Sequence, residues 1–94
     1  MTAAGDRHMA RVRELGCLIC GAPASIHHIN CHGMGMKASD FETIPLCPYH
    51  HQDGPFGEAI HNGKRTWEAR YGTERHLLTL VQAKLTQEPR GPHP

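Results

Sequence analysis

Cys17-Leu18-Ile19-Cys20 and Cys47-Pro48-Tyr49-His50 constrain this chain more than any other feature. Two residues between cysteines let a tight turn point both sulfurs at one ion, and Gly21 can supply the positive φ that such a turn needs. The second pair repeats the spacing with an imidazole in the last place. Together Cys17, Cys20, Cys47 and His50 predict a closed, tetrahedral zinc site of structural type. That clamp would tie the start of the domain to a helix beginning near residue 47. The bland alternative is a set of reduced, idle thiols. Cys31 is left over; it could replace Cys47 or His50 as a ligand or be a plain thiol, and its neighbour His32 is equally ambiguous.

Ninety-four residues predict one small domain with a modest core, which a structural metal or an oligomer would support. Nine histidines and four cysteines point to metal binding, while ten glycines and seven prolines point to a loop-rich fold. A net charge of +1 excludes a strongly basic nucleic-acid binder. Local basic groups remain (Arg7, Arg11 and Arg13; Lys64, Arg65, Arg70 and Arg75), for which an ordinary solvated surface is an equal explanation. Neither a signal peptide nor a membrane-spanning apolar run is present, so no membrane partner and a cytoplasmic location are expected. A reducing compartment in turn favours ligation over disulfides.

Along the chain, residues 1–6 are expected to be a flexible leader. Arg7 to Leu15 predicts a short helix with Met9, Val12 and Leu15 on one face, stopped by Gly16. Ser25 to Ile29 reads as a strand, whose alternation sends His27 and Ile29 one way and Ile26 and His28 the other. Asn30 to Asp40 is expected to be a loop. Phe41 to Leu46 predicts a second, antiparallel strand, short or at an edge because of Pro45. Cys47 should open a helix with Pro48 in its first turn, and Asp53-Gly54-Pro55 should end it. Lys64 to Arg70 can be helical with Trp67 and Tyr71 inward. Thr73 is a good N-cap for a last helix to about Leu85, where Leu77, Leu78, Val81 and Leu85 form a stripe for packing or for a homodimer contact. From Gln87 a flexible tail is expected, leaving 7–86 as the domain. The fold class predicted is α+β.

Cys17-x2-Cys20, Ile26-His27-His28-Ile29 and Ile44-Pro45-Leu46-Cys47-x2-His50-His51 resemble the HNH endonucleases, whose core is the ββα-metal fold. The likeness covers about residues 15 to 62. The run Ser39 to Cys47, with Ile60-His61 and Trp67-Glu68-Ala69-Arg70-Tyr71-Gly72, is most similar to the phage recombination-enhancement branch, which depends on the RecA recombinase. The resemblance implies a metal-dependent hydrolase cutting DNA phosphodiester bonds, linked to phage or prophage recombination. It makes His27 and His51 ligands of a catalytic metal and His28 the general base. The family's middle asparagine is replaced by Glu42, so Asp40 or Glu42 would orient the base. Where many relatives carry a further ligand this chain has Pro55; His61 is the candidate instead, and Asp53 a weaker one.

The chemistry suits those residue types in its own right. An imidazole is the usual base near neutral pH, and a divalent ion can bind the scissile phosphate and stabilise the departing oxygen. Histidine ligands accept Zn²⁺, Ni²⁺, Mn²⁺ or Mg²⁺, the last relying mostly on phosphate and water. Phosphate contacts from Lys37, Lys64, Arg65 and Arg70 would give salt-dependent, sequence-tolerant binding. With so little net charge, targeting calls for a homodimer, a RecA-type filament or a distinctive DNA structure. Two other classes compete. A non-catalytic zinc-binding DNA or protein interaction module does not require His27, His28, His51 and His61 beyond a complete four-ligand set. A metal-storage protein would carry more thiols.

Overall fold

A computed structural model describes residues 2–29 and 39–87 of the chain. Helix α1 spans Ala3–Glu14, so it begins four residues before the predicted start at Arg7. The reason is local. Thr2 accepts the Gly5 N–H through its hydroxyl at 2.9 Å, which satisfies a donor that a helix start leaves open. Met9 and Val12 are its buried apolar residues, and Gly16 ends it at φ +79.

Strands β1 (Ser25–His28) and β2 (Thr43–Leu46) pair antiparallel as a two-stranded sheet, with Ser25 opposite Leu46 and His28 opposite Thr43. Ile29 N–H donates to the Glu42 carbonyl at 3.0 Å, which places hydrogen-bonded pairs at 25/46, 27/44 and 29/42. Pro45 therefore faces Ile26 at a position whose missing N–H would point away from β1. Its carbonyl accepts Leu18 N–H at 3.1 Å from the cysteine turn. The strand is four residues long and, in a two-stranded sheet, an edge strand, as Pro45 predicts; all four of its residues are nonetheless buried, because other elements pack over it.

The predicted helix after Cys47 is a single π-helical turn, Tyr49–Asp53, preceded by Pro48 in right-handed helical conformation. Gly54 N–H bonds the Tyr49 carbonyl at 2.9 Å, the i→i+5 closure that defines this wider turn. A Cβ on Gly54 would stand 2.5 Å from that carbonyl, so the closure needs glycine. Helices α2 (Lys64–Tyr71) and α3 (Glu74–Gln87) follow. Thr73 caps α3 as expected, its hydroxyl accepting His76 N–H at 3.1 Å. Trp67 is fully buried with Val12, Ile29, Ile44 and Leu46. The Leu77, Leu78, Val81 and Leu85 stripe faces this same core, so it is a packing stripe of the domain itself. The architecture is α+β: an antiparallel hairpin, the π turn after it and three flanking helices. The tail after Gln87, and Cys31, His32 and Lys37, lie outside the described residues. No helix among the described residues is long and apolar enough to cross a membrane.

Candidate functional site

Cys17, Cys20, Cys47 and His50 converge, as their spacing predicts. The turn closes through Gly21 N–H to the Cys17 carbonyl and Cys17 N–H to the Ala22 carbonyl, both 2.8 Å, with Gly21 at φ +81. Cys20 and Cys47 sulfurs are 3.6 Å apart. His50 Nδ1 lies 3.4 Å from Cys47 and 3.8 Å from Cys17. A tetrahedral zinc at ordinary Zn–S and Zn–N lengths sets its ligands about 3.5–3.8 Å apart, so the donor set fits that ion. Burial pushes the Cys17 thiol up, but N–H groups of Cys47, Cys20 and Ile19 outweigh it and bring it below its ordinary value. Stabilising the thiolate in this way is what a metal ligand requires. The four residues could hold a metal such as zinc.

The second cluster is built from β1, the π turn and the loop after it. His27, His51 and His61 offer nitrogens within 4.8 Å of one another. His27 Nδ1 is 3.2 Å from His51 Nε2, and His61 Nε2 is 3.1 Å from the same atom. His61 reaches in because its loop returns along the π turn. Ile60 N–H donates to the His50 carbonyl at 2.9 Å, and His61 N–H to the His51 carbonyl at 3.1 Å. Of the two candidates for the third position, His61 is in the cluster. Asp53 ends the π turn and acts on His51 only as a nearby charge.

The protons on two of these rings can be assigned. His27 Nε2 lies 2.6 Å from Glu74 Oε2, both side chains being buried, so that nitrogen donates and Nδ1 is the nitrogen turned to the cluster. Ser25 gives its hydroxyl proton to the Leu46 carbonyl at 3.0 Å, so at 3.3 Å its oxygen accepts from His51 Nδ1. His51 Nε2 is therefore a lone pair. It faces His27 Nδ1 at 3.2 Å and His61 Nε2 at 3.1 Å, so the three nitrogens converge on one point where a cation could be shared. Burial, with the neighbouring His27 and His61, pushes His51 down to about 4, which keeps its lone pair available at neutral pH. His61 is lowered as well, first by burial and then by His27. Binding partners on the far nitrogen of a ligand ring are a common feature of metal centres.

Glu74 is the residue that sequence reasoning missed. It opens α3, is buried, and bonds Lys64 at 2.9 Å through its other oxygen. Burial pushes its carboxyl up, but the bonds from His27 and Lys64 outweigh this and hold it below the ordinary value. An acid in a first helical turn is read as a partner of the helix dipole. Nothing local announces a histidine 47 positions away.

His28 is placed apart from these three rings. Strand alternation leaves it exposed where His27 is buried, and its Nε2 lies 2.9 Å from Asp40 Oδ1. Of the two acids proposed to orient it, Asp40 makes the contact. Glu42 is 3.6 Å from Arg75 on α3. Among the predicted phosphate contacts, Lys64 pairs with Glu74 and Arg70 with Glu58. Arg65 is exposed.

The fold and its clusters define a small α+β domain carrying two candidate metal centres. A family model described as "Protein of unknown function (DUF968)" matches residues 2–86, and the chain belongs to that family. It is similar to the uncharacterized protein YdfU of Escherichia coli (strain K12), being 32% identical over 77 residues. That match covers 78% of this chain and 20% of the relative, so the chain spans about a fifth of its length. No solved structure matches the chain significantly.

Proposed function

We propose that the domain is a metal-dependent DNA endonuclease of HNH type, with a structural zinc at Cys17, Cys20, Cys47 and His50. The observation that carries this reading is the surplus of imidazole chemistry beside a complete four-ligand set. His27, His51 and His61 form a second cluster with two of its three rings held from behind, and the residue after His27 on β1 is a histidine held by a carboxylate. A structural zinc module has no use for either.

The residues divide the work as follows. His27, His51 and His61 hold a divalent ion, while Glu74 and Ser25 keep two of the rings in the ligating tautomer. Asp40 accepts the His28 Nε2–H, so Nδ1 is the nitrogen left to take a proton from the attacking water. The ion, when bound, supplies charge neutralisation at the phosphate and stabilises the departing 3′ oxygen. Because His27 and His28 diverge, the water and phosphate belong at the solvent-facing end of β1, between the two groups. The low net charge calls for help in targeting, such as a homodimer, while a RecA-type filament and a role in phage recombination follow from the resemblance.

The test is nicking of supercoiled and branched DNA with Mg²⁺, Mn²⁺, Ni²⁺ or Zn²⁺, with and without recombinase filaments. Cleavage should disappear in His28→Ala while zinc content and melting temperature persist. Intact substrates under all these conditions would refute the reading.

A further inference from the structure

The start of α1 takes no part in either metal cluster, yet it is docked on the loop that carries Asp40. Gly5 is buried in its first turn. A Cβ built on Gly5 would stand 2.8 Å from Asp40 Oδ2 and 3.2 Å from Asp40 Cβ. The other carboxylate oxygen of Asp40 is the one that meets His28. The next loop residue, Phe41, packs its ring on His8 with centroids 5.1 Å apart. Gly5 and His8 are i and i+3 on one helix face, so two consecutive loop residues rest on two neighbouring helix positions. Bonds within the loop complete the seat: Phe41 N–H to Ser39 Oγ at 3.0 Å, and Thr43 Oγ1 to the Asp40 carbonyl at 3.2 Å.

We infer that Gly5 is a positioning residue, the bare backbone seat that lets Asp40 approach α1 while holding His28 by its second oxygen. Helix propensity argues against glycine at this place, since alanine loses less backbone entropy on folding. Its presence is explained by the space that the Asp40 carboxylate occupies. A methyl group there meets the Asp40 carboxylate oxygen at 2.8 Å, which can swing away at the expense of the His28 bond, and it stands 3.1 Å from Thr2 Oγ1 and 3.2 Å from Asp40 Cβ, which must give by a few tenths of an ångström. The catalytic consequence rests on the nuclease reading; the geometry does not.

Gly5→Ala in the full chain tests it. Zinc content should be unchanged. The ring ¹⁵N shifts of His28, read through its non-exchanging ring protons, should move to those of Asp40→Asn. Turnover on DNA should fall by about tenfold or more, a part of what a well-placed base contributes, with KM little altered. The double variant with Asp40→Asn should be no slower than Asp40→Asn alone. Thr2→Ala removes the hydroxyl that is also near the new methyl, and should leave the His28 shifts in place. Wild-type shifts in Gly5→Ala, additive losses in the double variant, or equal shift changes in Thr2→Ala would each overturn the inference. A wild-type chain that cuts no DNA would sink the nuclease reading alone, because the His28 shifts still decide whether Gly5 seats Asp40.

Discussion

Glu74→Gln separates a metal-supporting carboxylate from a buried structural ion pair. The side chain keeps its length and volume, so the core around α3 is not emptied. What changes is the 2.6 Å bond from His27 Nε2, made between side chains 7% and 9% exposed. A hydrogen bond to a charged group is worth about 1.5–3 kcal/mol net, and replacing the charge by an amide oxygen loses part of that. Substitution of such far-side partners commonly weakens metal binding by roughly 10- to 100-fold, and each tenfold is about 1.4 kcal/mol. The two routes agree. The lost Lys64 pair adds little, since that ammonium is half exposed and surface pairs contribute about 0–1 kcal/mol. Titration calorimetry with Mn²⁺ or Ni²⁺, on chains already holding one zinc, should show a dissociation constant raised by about one to two orders of magnitude. Zinc at the cysteine cluster should stay at one per chain. An unchanged constant would mean that Glu74 serves α3 packing only, and the tautomer argument at His27 would fall with it.

Cys47→Ser should lose zinc and unfold, because apparent binding energies of structural zinc, about 10–16 kcal/mol, equal or exceed the stability of a small domain. Metal analysis with circular dichroism checks this, and a folded, zinc-free variant would refute the structural role. The three-histidine cluster should also make stability pH-dependent in chains carrying zinc alone. Unfolded histidine takes its proton near 6.5, whereas His51 in the folded chain waits until about 4. Between those values the unfolded state binds more protons, so the contribution is fully present above 6.5 and lost as pH falls through about 4. Melting curves across that window should slope more steeply for wild type than for His51→Gln; equal slopes would remove His51 as the cause.

Spacing made the cysteine cluster legible, because a two-residue gap fixes how two sulfurs can turn, and no longer-range information is needed. The hairpin was legible for a similar reason: His27 and Ile29 share a face by alternation, and Pro45 limits where it can sit in a ladder. Three features were not. The reach of α1 back to Ala3 depends on a Thr2 hydroxyl and on a seat for Asp40, neither of which shows as apolar periodicity. The role of Glu74 depends on where α3 docks, which is decided by Trp67, Leu77 and Val81 packing in the core rather than by anything near residue 74. The choice between Asp40 and Glu42 also needed the fold, since residues two apart near a strand end differ only in which neighbour, His28 or Arg75, they meet.

The π turn explains why both clusters can be served from one short segment. His50 and His51 are adjacent, yet one faces the sulfurs and the other faces His27. Their carbonyls are spoken for as well, by the backbone of Ile60 and Ile60's neighbour His61. Ordering these five residues is therefore a single event shared by the two centres and the loop that delivers His61. On the proposed function, an ion at either centre orders the turn that the other requires. Binding free energies linked through one element are reciprocal, so the factor by which zinc improves the three-histidine site is also the factor by which an ion there retains zinc. On that reading a domain with so small a core gains from the arrangement, because metal binding at both clusters and folding stability would draw on the same turn.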